Sequence, residues 1–253
     1  MAPRIRCRAL GVGSVFKSTL SRFIPAVSAA LLTAGLVPGT AGTANAEPPI
    51  EGAAPPCPDV EVVFARGTFE PPGVGFVGQA FVDALRGRLG DKSVDVYAVN
   101  YPASLDFQRA ADGIVDASRK VEQTAATCPS TKTVIGGFSQ GAAVAAYLTA
   151  DSVPANFVLP DGITGPMPDD VAKHVTAVTL FGKPSNGFIN TVQSTAPPIN
   201  IGHLYTDKTV DLCIETDPVC SPTGSDGASH NLYATNGMVQ QAADYVAARV
   251  LPQ

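Results

Sequence analysis

The chain has 253 residues, 45% of them apolar and 15% charged, with 24 Gly and 22 Pro. That is the composition of a globular protein and excludes a fibrous, coiled-coil or wholly disordered one. A net charge of −5 argues against nucleic acid or an anionic membrane surface as partner.

The first 46 residues read as a secretory signal. Arg4, Arg6, Arg8, Lys17 and Arg22 make a basic opening without an acid, Phe23 to Val37 is a 15-residue apolar run, and Ala44-Asn45-Ala46 offers the small residues of a cleavage site. The run falls short of the roughly 20 apolar residues that span a bilayer, so cleavage after Ala46 and no stable membrane insertion are expected. The remaining residues, 47–253, form one expected domain. Its net charge is −10, because five of the 17 basic residues and none of the 22 acids leave with the leader. A domain of this size buries roughly 70% of its unfolded surface.

Export implies an oxidising compartment. Cys7 departs with the leader, and Cys57, Cys128, Cys213 and Cys220 then read as two disulfides with three possible pairings. Cys213 and Cys220 lie seven apart in a Pro-containing loop and can close on each other, which leaves Cys57 with Cys128. The spacings match no common zinc pattern, and no metal is expected.

Val60 to Ala65 is a short β-branched and aromatic block, the signature of a buried strand. Gly67 and Pro71-Pro72-Gly73 break it. Helical spacing then runs from Phe76 to Leu89 through Val77, Ala80, Phe81, Ala84 and Leu85, and Gly90 stops it. A strand is expected over Val94 to Val99, a helix over Phe107 to Ala126 ending at Cys128-Pro129, and a third strand over Thr133 to Gly137. Gln140 to Leu148 is almost wholly small and apolar, a helix buried on most sides. Val175 to Phe181 and the shorter Thr209 to Cys213 are the fourth and fifth strand candidates. Met238 to Val250 closes the chain as an amphipathic helix. Two segments rich in Pro and Gly, Val153 to Asp170 and Pro184 to Gly202, are expected to be mobile surface loops. Strands alternating with helices imply an α/β fold with a mostly parallel sheet and helices on both faces. Ligands bind such sheets beyond the carboxyl ends of the strands.

Gly137-Phe138-Ser139-Gln140-Gly141 has the pattern G-x-S-x-G and sits between a strand and a helix, the context in which that pattern presents a nucleophile. A side chain at either glycine is expected to collide with the adjoining strand or helix. Ser139 would stand at a helix N-terminus, which favours developing negative charge. A serine needs a base, and the base needs a carboxylate to fix its tautomer. Of His174, His203 and His230, only His230 follows the acids and precedes the last helix, as the chain order Ser, acid, His requires. Asp207, Asp211, Glu215, Asp217 and Asp226 compete for the carboxylate role. Asp217 has the strongest case because Cys213 and Cys220 bracket it, and Asp211 reads as a strand-edge or turn acid. Backbone N–H of Gln140 and the N–H and hydroxyl of Thr68 are candidate oxyanion donors; Arg66 reads as structural.

Val62 to Thr68, Asn100-Tyr101-Pro102-Ala103, Gly137 to Gly141, Asp217-Pro218-Val219-Cys220 and His230 together resemble the cutinase family, above all the secreted cutinase-like esterases of mycobacteria and their relatives. The resemblance spans Cys57 to the last helix. It implies an α/β-hydrolase with a five-stranded parallel sheet and no large lid, with Ser139 as nucleophile, His230 as base, Asp217 as orienting acid, Thr68 and Gln140 at the oxyanion hole, and the disulfides Cys57–Cys128 and Cys213–Cys220. Fungal members more often carry Ser at the position of Thr68 and Tyr at that of Phe138. The expected activity is that of a secreted carboxylic-ester hydrolase, monomeric and without cofactor, acting on ester or lipid substrates. Acyl transfer to a cell-envelope lipid, and a binding or surface protein with an incompetent triad, are the alternatives. Phe157, Val158, Leu159, Phe188 and Ile189 are apolar enough to contact an acyl chain or to belong to the core.

Overall fold

Val60–Ala65 forms β1, and all six of its residues are buried. It lies at the heart of a five-stranded sheet in a computed structural model that describes residues 56–153, 159, 161 and 164–252. The expected leader and the residues Phe157 and Val158 lie outside the described residues. The other strands are β2 (Val94–Ala98), β3 (Lys132–Phe138), β4 (Val175–Phe181) and β5 (Thr209–Leu212). Their order across the sheet is β2-β1-β3-β4-β5, and every pairing is parallel. The central strands β1, β3 and β4 are nearly unbroken apolar runs because a parallel sheet is covered on both faces.

The five helices are α1 (Gly75–Leu89), α2 (Ala110–Thr127), α3 (Gln140–Leu148), α4 (Asn186–Val192) and α5 (Met238–Val250). Successive residues of a strand face opposite sides, and β1 therefore feeds two cores. Val62 and Phe64 pack with Val77, Phe81 and Leu85 of α1 and with Val239, Ala242 and Val246 of α5. Val63 and Ala65 pack with Val121 of α2 and Ala142, Ala145 and Ala146 of α3. Phe64, Phe81 and Phe181 form an aromatic knot on the α1/α5 side, with ring centroids 5.8 to 6.2 Å apart. Burying each ring contributes about 1.5–3 kcal/mol. The alternation also turns Glu61 toward α2, where its carboxylate meets Lys120 Nζ at 2.6 Å and accepts the Thr124 hydroxyl.

Three expectations change. The segment 184–202, read as a mobile loop, contains α4, capped by Ser185, whose hydroxyl oxygen accepts the N–H of Phe188 at 3.1 Å. Seven residues that include Asn186 and Gly187 are too few to show a helical period. The helix expected from Phe107 begins as a 3-10 turn over Phe107–Arg109 before α2 proper, a common entry to a helix. Val99 lies outside β2 but still donates its N–H to Phe64 O at 3.0 Å, so the ladder outlasts the strand by a residue. Ile189 packs against the core on the α3 side. Phe188 is half-buried, and Leu159 helps line a cavity of about 450 Å³ beside α2 and the end of α3.

Candidate active site

β3 ends at Phe138 and α3 begins at Gln140, so Ser139 alone makes the turn between them. Its backbone stands at φ 55°, ψ −120°, a region that costs a residue other than glycine on the order of 1–3 kcal/mol. Neighbours hold it there: Ser139 N–H donates to Phe181 O at 2.9 Å. The flanking glycines allow the close approach. A Cβ on Gly137 would lie 2.1 Å from Gly141 O, and one on Gly141 would lie 2.0 Å from Ala65 O. The hydroxyl therefore projects beyond the carboxyl end of β3, at the N-terminus of α3, where peptide dipoles favour negative charge.

His230 rides on a 3-10 turn, Gly227–Asn231, capped by Asp226, which accepts the Ala228 N–H and the Ser229 hydroxyl. Its Nε2 lies 2.8 Å from Ser139 Oγ and its Nδ1 lies 2.7 Å from Asp217 Oδ2. A carboxylate only accepts, so Nδ1 carries the proton and Nε2 turns its lone pair to the serine. Asp217 is completely buried. Its Oδ1 accepts the Val219 N–H at 2.9 Å, and its Oδ2 also accepts the Tyr233 hydroxyl at 2.7 Å. The Cys213–Cys220 disulfide closes the loop around it, and Ser221 N–H returns to Asp217 O at 2.9 Å. Cys57 and Cys128 are bonded as well. Phe138 supports the imidazole from one side, stacked at 5.0 Å between ring centroids.

The loop after β1 carries Thr68, half-buried in a turn. Arg66 is buried and structural: its guanidinium donates to Glu70 O at 2.8 Å and Tyr101 O at 2.5 Å, and the Tyr101 hydroxyl donates back to Arg66 O. Glu70 accepts the N–H groups of Gly67 at 2.5 Å and Phe76 at 2.7 Å. Gly67 sits so close to Phe138 that a Cβ there would be 2.7 Å from the ring. This clamp holds the start of the Thr68 turn against Phe138, the residue before Ser139. The Gln140 side chain is buried and donates to Ser104 O at 3.0 Å, while its backbone N–H is one of the first-turn donors that lack an intrahelical partner.

The remaining candidates lie elsewhere. His174 Nδ1 is 3.0 Å from Pro129 O, and His203 Nδ1 pairs with the exposed Asp151 at 2.8 Å. Asp211 sits on β5, the sheet edge, 3.2 Å from Lys183 Nζ; its carboxyl is pushed up by burial, with Lys183 opposing. Glu215 is exposed, and Asp207 lies in the 3-10 turn Thr206–Lys208. Reading the sequence missed Glu70 and Tyr233, and singled out the segment of Tyr101 without giving that residue a role. Glu70 lies five residues before α1, too far to read as a cap; Tyr233 lies in a stretch with no period to expose it. Four large apolar side chains also stand out around the site: Phe69, Phe76, Leu105 and Leu232.

A family model described as Cutinase matches residues 56–250. The chain is 54% identical over 170 residues to a Mycobacterium tuberculosis protein described as probable carboxylesterase Culp5, which covers 67% of this chain and 95% of that one. It is 45% identical over 194 residues to phospholipase Culp4 of the same organism, covering 77% of this chain and 80% of that one. Among solved structures, Trichoderma reesei cutinase in complex with a phosphonate inhibitor aligns with a TM-score of 0.57 at 28% identity, covering 78% of each chain.

Proposed function

The chain belongs to the cutinase family of ester hydrolases, and from that membership we propose that it is a secreted carboxylic-ester hydrolase acting through an acyl-Ser139 intermediate. The observation that carries the reading is the continuous hydrogen-bonded line from Ser139 Oγ through His230 to Asp217. In this mechanism Ser139 Oγ attacks the ester carbonyl carbon while His230 Nε2 takes the hydroxyl proton. The carbonyl oxygen becomes an oxyanion held by the Gln140 backbone N–H and by Thr68. Its collapse expels the alcohol, which leaves with the proton from Nε2. Water then attacks the acyl-serine, again deprotonated by His230, and the carboxylic acid departs as Oγ recovers its proton. Asp217 holds the imidazole in the tautomer this requires and stabilises the imidazolium.

Aliphatic esters and polyesters are the proposed substrates, supported by the exposed side chain of Phe76, which packs against Phe138 beside Ser139, and by the exposed Leu232 two residues after His230. The similarity to phospholipase Culp4 favours a lipid ester as a second substrate class. Export is supported by the two disulfides, which form and persist in oxidising compartments.

Fluorophosphonate labelling beside p-nitrophenyl butyrate turnover tests the reading. Wild type is expected to label and turn over, and Ser139→Ala to lose both while its thermal melt is retained. Full turnover by Ser139→Ala would overturn the nucleophile assignment.

A further inference from the structure

Tyr233 is a fully buried residue whose phenol reaches the acid end of the proposed triad. We propose that Tyr233 is a positioning residue for catalysis: its hydroxyl holds Asp217 Oδ2 in place and takes a share of the negative charge that this oxygen turns to His230 Nδ1. This rests on the reading of Ser139, His230 and Asp217 as the catalytic line.

Of the two acceptors beside the phenol, the Asp217 carboxylate and the disulfide sulfur of Cys220 at 3.2 Å, the carboxylate is much the stronger. Tyr233 Oη accepts the Ile214 N–H at 3.1 Å and lies 2.7 Å from Asp217 Oδ2. A carboxylate oxygen cannot donate, so the hydroxyl must. Burial, with Asp217 adding to it, pushes the phenol well above its ordinary range, which keeps the group a donor at any working pH. The oxygen it binds is the one that accepts from His230 Nδ1 at 2.7 Å. One carboxylate oxygen thus shares its negative charge between a phenol and an imidazole. Charge drawn toward the phenol is not available to stabilise the imidazolium, and a carboxylate fixed by the phenol cannot rotate out of line.

Among the described residues, the polar side chains facing His230 are Ser139, Asp217 and Tyr233, since Phe138 covers the flat side of the ring and Gly182 lies at its Cε1 edge. Farther out, Asp211 acts on the phenol through space and is itself paired with Lys183.

The test is a kcat/KM profile against pH for three proteins. Tyr233→Phe keeps the ring that fills the core and removes only the hydroxyl. Its acid limb is expected to move to higher pH by about half a unit, with kcat at neutral pH down about tenfold and KM little changed. Replacing Tyr233 with 3,5-difluorotyrosine makes the phenol a stronger donor, keeps the hydroxyl and the ring, and should move the limb the opposite way. In an Asp217→Asn background, whose residual turnover comes from the oxyanion site and binding, Tyr233→Phe is expected to cost no more than about twofold, since residues acting as one unit are not additive. A limb that stays put in the fluorinated protein, or a full tenfold additive loss in the Asp217→Asn background, overturns the proposal. The fluorinated arm stands even if Tyr233→Phe folds poorly. Failure of the triad reading would look different: Ser139→Ala would keep its turnover whatever happens at Tyr233.

Discussion

Phe138 and His230 lie face to face, their planes at 29° and centroids 5.0 Å apart. The residue before the proposed nucleophile thereby supports the proposed base, 91 positions farther along the chain than Ser139. Phe138 in turn meets Phe76 edge-on at 5.5 Å and Tyr233 at 5.7 Å. Phe138→Leu keeps an apolar side chain but removes the flat support. A catalytic group misplaced by about 1 Å can cost on the order of 100-fold, so kcat is expected to fall about tenfold or more. Phe138→Tyr keeps the ring and should stay within about twofold. Steady-state kinetics on a soluble ester check both; an unimpaired leucine variant would deny the ring its supporting role.

Strain at Ser139 gives a stability prediction. Ser139→Ala and Ser139→Gly both lose the hydroxyl, but only glycine tolerates φ 55° without penalty. Glycine gains freedom in the unfolded chain, worth roughly 0.5–1 kcal/mol against it, while relief of strain is worth about 1–3 kcal/mol. Ser139→Gly should therefore be the more stable by about 1 kcal/mol in chemical denaturation. Equal midpoints and slopes would mean that the surroundings, not the residue, absorb the strain.

The two disulfides should separate by function. In the chain-entropy account, the loop of 71 residues between Cys57 and Cys128 contributes about 4 kcal/mol and the loop of seven between Cys213 and Cys220 about 2.5 kcal/mol. Replacing Cys213 and Cys220 by Ser is expected to depress activity more than stability, because the freed loop carries Asp217. Replacing Cys57 and Cys128 should do the reverse. Melting temperatures and kcat of the two double variants decide it, and a Cys213/Cys220 variant that unfolds without prior loss of activity would refute the role of the bond in holding the acid.

Phe69 and Leu105 are 72% and 63% exposed, and Phe69 N–H donates to Ala103 O at 2.7 Å, tying the two loops together at the mouth of the site. If the two side chains act together, they offer a lipid surface apolar contact. Phe69→Ser with Leu105→Ser should lower turnover of an emulsified triacylglycerol about tenfold and leave a soluble butyrate ester within about twofold. Stability should change by no more than about 0.5 kcal/mol, as for most surface substitutions. Equal losses on both substrates would assign these side chains to the site itself.

Asp59 precedes β1 and accepts from Lys92 at 2.7 Å and from the Ser93 N–H at 2.9 Å. Lys92 above all, and then Ser93, hold its carboxyl down at about 2 against an ordinary 3.8. A carboxyl whose folded value is depressed stabilises the protein above its unfolded value and loses that contribution as pH falls. The loss belongs to the window from about pH 4 down to about 2. Asp59→Asn should shrink the difference between melting temperatures at pH 5 and pH 2.5. Because the group is exposed, added salt should shrink it too. An unchanged difference in Asp59→Asn would assign the acid sensitivity to other carboxylates.

How much could be read from the residues alone depended on whether the cause was local. Val60–Ala65 and Val175–Phe181 announce themselves because burial on two faces demands apolar runs. Gly137 and Gly141 flank a serine for a steric reason that the backbone distances reproduce. α4 escaped because a seven-residue helix is held by one cap and by packing, neither of which leaves a period. Tyr233 and Glu70 escaped for a related reason: their partners, Asp217 for one and the Gly67 and Phe76 amides for the other, are set by loops meeting in space. The order β2-β1-β3-β4-β5 was likewise beyond the alternation of elements, which gives direction but not neighbours.

The Cys57–Cys128 bond joins the segment leading into β1 to the end of α2. Both sulfurs therefore emerge ahead of the β3–Ser139–α3 unit when the chain leaves a ribosome or an export pore N-terminus first. Cys213 and Cys220 follow only after β5, so oxidation has a built-in direction. A newly made chain can seal its first two βα units before the proposed nucleophile is made, and the proposed base arrives only with the last stretch before α5. The order of the two crosslinks is thus also a clock for when the protein becomes able to cut an ester.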